Sequence, residues 1–416
     1  MGSFATALSG LTADSQDLSV ISNNLANLNT TAFKSASASF QDLFYQQVGS
    51  SGDGNPLEVG AGTQVGSIPT NFTEGNTEST GVPTDLAIQG DGFLIGMNDG
   101  QEIFTRAGDL SLTSAGLLVA PDGSQIQGFS AVNGVINPSQ TPGPLTISTG
   151  LINPPQATSN AQLSVNLDSG TAVGGSFSTP LTVYDSLGAS HVLTFTFTKT
   201  AANAWSYSIT IPAADVAGAT TPVTIASGTG ATGLTFNGAG QLTSPTGNLT
   251  GLSIANLADG ANTLTFNWDL NDANGNGLLT QVAAPSSTSA TQQDGYASGS
   301  LTSYSIGSDG TIQGTFSNGQ TQALGQILLA TFANDQGLSR IGANNFVASL
   351  ASGAPSVGIP GTGGRGTLSG GALEQSNVDI STEFANLILA QSGFQANAKV
   401  VTTLDTITQD TINMIQ

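Results

Sequence analysis

Residues 377–416 read NVDISTEFANLILAQSGFQANAKVVTTLDTITQDTINMIQ. The apolar residues of this stretch recur in alternating steps of four and three, which is the period of a coiled-coil seam. Asp379 is placed to cap the first turn, and Glu383 puts negative charge at the positive end of the helix dipole. We therefore expect a long helix whose seam is formed by Ile380, Phe384, Leu387, Phe394, Val401, Ile412 and Ile415.

The opening residues of the chain show the same period. Its seam positions hold Phe4, Leu8, Leu11, Leu18, Leu25 and Leu28. We expect the two ends of the chain to pair as a coiled coil and the seams to form an interface between subunits. Other apolar residues, such as Val20, Val400 and Ile407, widen the surface beyond one seam, which favours further copies of the chain as partners. The alternative is a helical hairpin that caps its own domain.

The composition excludes several classes of partner. The chain has 416 residues, of which only 6 are Lys or Arg and 27 are Asp or Glu, for a net charge of −21. Such a chain cannot neutralise phosphates, so nucleic acid and anionic membrane surfaces are not expected partners. It has no cysteine for disulfides or thiolate metal sites. It also shows neither the basic N-terminal region of a cleaved signal nor an apolar run long enough to insert into a membrane.

The pattern along the chain predicts an α+β protein with a mainly-β body of short strands. We expect a terminal helical coiled-coil domain from 1–48 and 371–416, and Gly-rich connectors at 49–67 and 351–370 that act as flexible joints. Between them we expect two β domains, the outer one inserted into the inner one. The inner β domain would comprise 68–147 and 294–350, and the outer inserted β domain 148–293.

No motif for catalysis or for a cofactor is convincing. Two G-x-G-x-x-G matches, at 228–233 and 361–366, are expected by chance in a chain with 54 glycines. Asp272 opens the first half of a calcium loop, but Ala283 stands where the loop needs glutamate, so we interpret it as a turn. His191 is the only histidine and begins a strand, where a surface or strand-edge position is expected. We therefore expect no catalytic residue, cofactor or metal, although sequence alone leaves carboxylate pairs open.

Three stretches resemble the bacterial flagellar rod and hook protein family. They are NNLANLNTTAFK at 23–34, GDGFLI at 90–95 with FTRAGDL at 104–110, and NVDISTEFANLILAQSGFQANAKV at 377–400. The family usually has Gly where this chain has Ala32. The resemblance implies a role for the motif positions Asn23, Asn24, Asn27, Phe33, Lys34, Gly90, Gly92, Phe93, Gln395 and Asn397.

A fourth stretch, SNGQTQALGQILLATF at 317–332, is similar to the hook members of that family, and the chain length agrees. The resemblance implies a structural subunit, not an enzyme, that polymerises into a curved flexible tube and transmits torque from rod to filament. It implies a location outside the cell, export by the flagellar type III apparatus without a cleaved signal peptide, and contact with rod, hook-cap and hook–filament junction proteins. The alternatives are a distal rod or other axial subunit, a secreted β-rich adhesin, and a secreted hydrolase.

Overall fold

The computed structural model describes residues 2–50, 56–148, 150–272 and 274–415, without the side chains of residues 2, 3, 46 and 415. The two ends of the chain form α1 (Gly2–Ala26) and α2 (Ile380–Ile415), and the chain between them is mainly β. The predicted α+β class with paired terminal helices is confirmed. Asp379 caps α2 as expected, because its Oδ1 accepts the Thr382 N–H at 2.7 Å.

The strands are short and numerous. The first group is β1 (Ser39–Asp42), β2 (Gln46–Ser50), β3 (Pro56–Val59), β4 (Thr63–Ser67), β5 (Thr77–Ser79), β6 (Leu86–Gln89), β7 (Phe93–Asn98), β8 (Gln101–Thr105), β9 (Ser111–Leu112), β10 (Leu118–Val119), β11 (Gln125–Val132), β12 (Val135–Ile136) and β13 (Gly143–Pro144). The second is β14 (Ile152–Asn153), β15 (Asn160–Asn166), β16 (Ser176–Tyr184), β17 (Ser190–Ala201), β18 (Ala204–Ile211), β19 (Val223–Gly228), β20 (Leu234–Phe236), β21 (Leu242–Ser244), β22 (Leu249–Ile254), β23 (Leu264–Asp269), β24 (Leu279–Thr280) and β25 (Ser287–Gln293). The third is β26 (Gly299–Ile306), β27 (Thr311–Phe316), β28 (Thr321–Ile327), β29 (Leu329–Thr331), β30 (Ser339–Gly342), β31 (Asn345–Val347), β32 (Ser356–Gly358), β33 (Thr367–Gly370) and β34 (Ala372–Glu374).

The chain divides into two compact units. Unit 1 comprises 1–149, 303–315 and 321–416, and unit 2 comprises 150–302 and 316–320. The sequence predicted three domains, whereas the helices and the inner β region belong here to one unit. The inserted unit consists mainly of residues 150–302, whereas the sequence predicted an insertion at 148–293.

Unit 1 is built on an antiparallel sheet in the order β28-β11-β7-β8-β31-β30. Its core is aromatic. The buried ring of Phe93 contacts the rings of Phe72, Phe332 and Phe346, with centroids 5.7–6.0 Å apart. The rings of Phe72 and Phe346 also contact each other, at 5.5 Å. These edge and tilted contacts are the preferred geometry of aromatic pairs. Phe93, which the family resemblance singled out, therefore anchors the core of this unit.

Unit 2 is a pair of sheets that share one core. One sheet has the order β22-β23-β15-β24 and the other β16-β17-β18-β20-β21. The strands alternate buried and exposed residues, as β18 does throughout, which is the period of a strand with one face in the core. Trp268 from the first sheet stacks edge-on against Phe195 and Tyr207 from the second, with centroids 5.0 and 5.4 Å away.

The predicted Gly-rich connectors are not free joints, which corrects the sequence interpretation. The described part of 49–67 lies in a hairpin in which β1 pairs with β4 and β2 pairs with β3. Within 351–370, β32 pairs with β29 and β33 pairs with β6. Glycine serves close packing here rather than flexibility: a Cβ on Gly366 would lie 2.3 Å from the Gln89 carbonyl oxygen.

A buried charge cluster joins the helices to the sheet of unit 1. Glu374, at the end of β34 and fully buried, forms ion pairs with Lys34 and, at 3.0 Å, with Arg106 Nε. Its Oε1 also accepts the Gly75 N–H at 2.9 Å. Burial and the neighbouring Arg106 lower the pKa of Lys34, while Glu374 opposes that shift. One carboxylate thus compensates two buried cations.

Arg106 extends this cluster to the loop around Gly90 and Gly92. Its guanidinium donates to the carbonyl oxygens of Ile88, Gly90 and Gly92 at 3.1–3.3 Å. Both glycines have positive φ angles, +96° and +132°, which residues other than Gly rarely adopt. The GDG motif therefore provides a curved backbone whose carbonyl groups converge on one arginine.

The end of the N-terminal motif is fixed at the same place. Ala32, at the position where the family usually has Gly, adopts φ +54° and donates its N–H to the Glu374 carbonyl oxygen at 2.8 Å. Phe33 is buried, and the Arg340 guanidinium lies 5.9 Å from the centre of its ring. Arg340 also donates to the Lys34 carbonyl oxygen at 2.8 Å. A left-handed alanine is strained, so the surrounding contacts must hold it.

We predict that Glu374→Gln strongly destabilises unit 1. Removing the carboxylate leaves Lys34 and Arg106 buried without their shared counter-ion, which typically costs about 3–5 kcal/mol. Urea unfolding of the full chain would measure the loss. The matched control is Glu78→Gln, because Glu78 lies exposed on neighbouring β5 and should change stability by about 0.5 kcal/mol or less. Equal effects of the two substitutions would contradict the role given to the buried cluster.

The paired terminal helices as a candidate assembly interface

The two helices run antiparallel in close contact. A Cβ on Gly10 would lie 2.8 Å from Asn397 Nδ2, and a Cβ on Gly393 would lie 3.2 Å from Asp14 Oδ2. Further along, Asn24 Nδ2 donates to Glu383 Oε1 at 3.0 Å. These contacts set one register over most of α1. Glycine at both crossing points lets the backbones approach closely.

The centre of the contact is small and polar. On α1 it follows Ala7, Gly10, Ala13, Ile21 and Asn24, all of which are buried. On α2, Ala390 is buried, and Asn397 Nδ2 donates to Asp14 Oδ2 at 2.8 Å. Asn24 also binds the backbone of Ala36 through both atoms of its side-chain amide, at 2.7 and 3.0 Å. Hydrogen bonds and small side chains, rather than large apolar knobs, fix the register.

The contact within the chain does not follow the predicted seams, which lie beside its centre, and their role between subunits stays a prediction. The seam residues that are exposed are Phe4, Leu8, Ile380, Phe384 and Ile412. Those that flank the contact half-buried are Leu11, Leu18, Leu25, Leu28, Leu387, Phe394 and Val401. The side chain of Ile415 lies outside the described residues. The predicted seams were chosen for large apolar residues. The α2 residues on the side that faces α1 instead recur every seven positions, at Glu383, Ala390, Asn397 and Leu404.

The remaining motif residues lie in four places. Asn27 lies just after α1 and donates its side-chain N–H to the Asn23 carbonyl oxygen at 2.9 Å, so these two residues act locally. Gln395 is exposed on α2. Lys34, Phe33, Gly90, Gly92 and Phe93 lie in the cluster and core of unit 1 described above, whereas Asn24 and Asn397 lie between the helices. Sequence reasoning missed Glu374, although a single carboxylate next to a Gly-rich stretch was a visible signal.

The outward face of the helix pair is strongly apolar. On α2, Ile388 and Leu389 are 63% and 70% exposed, and Phe384, Val400 and Ile407 are also exposed. Neither helix of the described chain is long and apolar enough to cross a membrane. Exposed apolar side chains grouped in this way are typical of a surface that becomes covered when proteins associate.

The far end of α2 has no partner on α1. Extending the register set by Gly10 and Asn397 places the first residue of α1 level with Asp405. Residues 405–414 are all exposed, including Ile407 and Ile412. About ten residues, or roughly 15 Å of helix, therefore project beyond the helix pair.

We predict that Gly10→Leu loosens the helix pair. The larger side chain must displace Asn397 and break its hydrogen bond to Asp14, and overpacking of this kind costs about 1–3 kcal/mol. Hydrogen exchange of the α1 amides in the full chain would show faster exchange. Ser15→Leu, at an exposed position of the same helix, is the matched control and should leave exchange unchanged. If the α1 amides of Gly10→Leu exchange at the wild-type rate, close packing at Gly10 does not hold the helices together.

We also predict that the helix pair becomes tighter as the pH falls. Burial raises the pKa of Glu383 above 4.5, an effect that Asn24 opposes and Asp17 reinforces. Burial and Asp14 raise the pKa of Asp17 above 3.8. Because the folded pair binds these protons more tightly than the unfolded chain, the stabilisation is complete below the unfolded pKa values and is lost as the pH rises through the folded ones.

The measurement is the protection factor of the α1 amides between pH 7 and pH 4.5, since protection is corrected for intrinsic exchange. Glu383→Gln removes the charge but keeps the oxygen that accepts from Asn24, so its protection should be higher at neutral pH and vary less with pH. An identical pH dependence in the wild-type chain and Glu383→Gln would rule out this role for Glu383.

Four family descriptions match the chain. They are "Flagella basal body rod protein" over 4–34, "Flagellar hook protein FlgE/F/G D1 domain" over 87–171, "Flagellar basal body protein FlaE D2 domain" over 156–296, and "Flagellar basal body rod FlgEFG protein C-terminal" over 369–414. The first and last of these cover the two helices and the buried cluster at Lys34 and Glu374.

Relatives match over the whole chain. Flagellar hook protein FlgE of Treponema pallidum is 34% identical over 100% of this chain and 99% of its own length. FlgE of Salmonella typhimurium is 37% identical over 99% of this chain and 100% of its own length. The crystal structure of Helicobacter pylori FlgE2 is similar in fold, with a TM-score of 0.53 and 16% identity, covering 72% of this chain and 100% of that one. Because full-length relatives and family descriptions agree, the chain belongs to the flagellar hook protein FlgE family.

Proposed function

We propose that the chain is a structural subunit of the bacterial flagellar hook that polymerises with copies of itself into a curved, flexible tube. The protein is structural and not an enzyme. The observation that carries the proposal is the helix pair, in which mostly small and polar residues form the centre of the contact while several large apolar residues are exposed. A second copy of the same helix pair is the natural cover for such a surface, because a repeated surface builds a polymer.

The helices form the continuous layer of this tube in our proposal. The exposed segment at 405–414 lies beyond the described residues of α1, so a neighbouring subunit would cover it. Burying one large apolar side chain stabilises a contact by about 1.5–3 kcal/mol, and each subunit offers several. Modest individual contacts would therefore sum to a stable polymer.

Transmission of torque requires that the helical layer move with the β body of unit 1. The cluster of Glu374, Lys34 and Arg106 supports this, because it ties the residues after α1 to β34 and to the Gly90 loop. The sequence had suggested flexible Gly-rich joints at this place. Since those segments are paired strands, flexibility of the tube would come from contacts between subunits rather than from a loose joint inside unit 1.

Location and partners follow from membership of the flagellum. We infer that the chain lies outside the cell, leaves by flagellar type III export without cleavage, and contacts rod, hook-cap and junction proteins at the ends of the tube. A rod role is the nearest alternative, because both terminal family descriptions are shared with basal body rod proteins. Similarity to hook proteins over the full length, including 156–296, favours the hook.

We predict that Phe384→Ser combined with Ile388→Ser abolishes or weakens polymerisation without unfolding the subunit. Both side chains are exposed in the single chain and lie one helical turn apart. Losing two buried apolar groups per contact should raise the concentration needed for polymerisation at least about tenfold, since about 1.4 kcal/mol corresponds to that factor. Sedimentation would measure the concentration at which the protein polymerises, and negative-stain microscopy of concentrated protein would show whether tubes form.

The matched control is Gln391→Ser combined with Gln395→Ser, which changes two exposed polar residues at the same spacing on α2. It should polymerise like the wild-type chain. Absence of tubes from the wild-type chain, or equal polymerisation of both double variants, would contradict the proposed assembly. Circular dichroism of the dilute variants checks that the helices still form.

A further inference from the structure

Three carboxylates surround the only histidine of the chain, in unit 2. His191, in β17, is 5% exposed, which corrects the expectation of a surface or strand-edge position. Its Nε2 lies 3.0 Å from Asp185 Oδ2, and its Nδ1 lies 3.3 Å from Asp215 Oδ2. Single ligand atoms of Asp185, His191 and Asp259 all lie within 4.8 Å of one another. Three acids and one imidazole therefore share a small volume.

Asp185 is fixed in position by backbone hydrogen bonds. It is fully buried, and its Oδ1 accepts the Leu187 and Ala189 N–H groups at 2.8 and 3.0 Å. Its second oxygen, Oδ2, is left to face the imidazole.

The imidazole is incompletely satisfied. With Nε2 donating to Asp185, a neutral ring has a lone pair on Nδ1, and Nδ1 makes no hydrogen bond within the described residues although Asp215 is close. A buried lone pair facing a carboxylate oxygen is unfavourable, and it is relieved either by a second ring proton or by a cation on Nε2 that moves the ring proton to Nδ1. The closeness of Asp185 and Asp259 poses a second conflict, because two like charges need a proton or a cation between them.

We propose that Asp185, His191 and Asp259 form a binding site for one divalent transition-metal ion, such as Zn²⁺. Nε2 would bind the ion together with one oxygen from each carboxylate. The ring proton would then sit on Nδ1, facing Asp215, which is the usual arrangement in which a carboxylate orients a metal-binding histidine. One ion thus relieves both the repulsion between the acids and the unsatisfied Nδ1.

The donor set selects the class of metal. Imidazole with carboxylates suits Zn²⁺ and its first-row neighbours, whereas Ca²⁺ and Mg²⁺ prefer oxygen ligands alone. Nε2 and Asp185 Oδ2 are 3.0 Å apart, a hydrogen-bond distance, and would separate by only a few tenths of an ångström to reach the edge, about 3.3 Å, of a tetrahedron with bonds of about 2.0–2.1 Å. Three protein ligands leave room for a fourth from solvent, because Asp259 is exposed.

Binding of Zn²⁺ and Co²⁺ to the full-length chain tests the site. We expect one Zn²⁺ per chain by calorimetry, a higher melting temperature in its presence, and visible absorption from bound Co²⁺. The absence of cysteine and of any second histidine means that a nitrogen-bound Co²⁺ signal reports on His191 alone. Nitrogen NMR of the same ring should show the proton moving from Nε2 to Nδ1 when Zn²⁺ is added.

The decisive variant is Asp259→Asn, because Asp259 is exposed and its loss should not unfold unit 2. It should weaken Zn²⁺ binding at least about tenfold. Asp168→Asn is the matched control: each aspartate accepts a backbone N–H two residues on, but Asp168 is not in the cluster. His191→Gln should remove the Co²⁺ absorption. Failure of the wild-type chain to bind Zn²⁺, or binding that survives both Asp259→Asn and His191→Gln, would overturn the proposal.

Discussion

One buried carboxylate carries the architecture of unit 1. Glu374 is the shared counter-ion of Lys34 and Arg106, and each partner belongs to a different part of the chain. Lys34 follows α1, Arg106 follows β8, and Glu374 ends β34 just before α2. Charges of this kind are costly to bury and tolerate little displacement, because water cannot replace a lost partner. The positions of both helices and of the Gly90 loop are therefore set by the same few atoms.

The helix pair forms within a single chain but leaves apolar surface exposed for contacts with other subunits. Close packing at Gly10 and Gly393 uses small side chains, so the contact within the chain consumes little of the apolar surface. Large side chains such as Ile388 and Leu389 remain outside. The hydrogen bonds of Asn24 and Asn397 fix the register without help from those residues. Folding and assembly thus draw on different faces of the same helices.

Much of this was visible in the sequence, and the reasons for the failures are specific. The helices, the Asp379 cap and the mainly-β body follow from local signals such as hydrophobic period and capping chemistry. The helix face that packs within the chain could not be predicted in this way. The period of the apolar residues identifies an apolar stripe, but it does not show whether the stripe contacts the same chain or another one. Residues 351–370 were misjudged because glycine marks close approach as well as flexibility. The partners of Glu374 and His191 are distant in sequence, and only tertiary structure brings them together.

The unequal length of the two helices gives the subunit a direction. At one end α1 joins the clustered charges of unit 1, and at the other α2 continues alone for about three turns. Copies joined through such a projection, head to tail, produce a chain with two chemically distinct tips. One tip would present bare α2 ends, and the other the helix surface that receives them. Every subunit would then keep the same orientation along the axis.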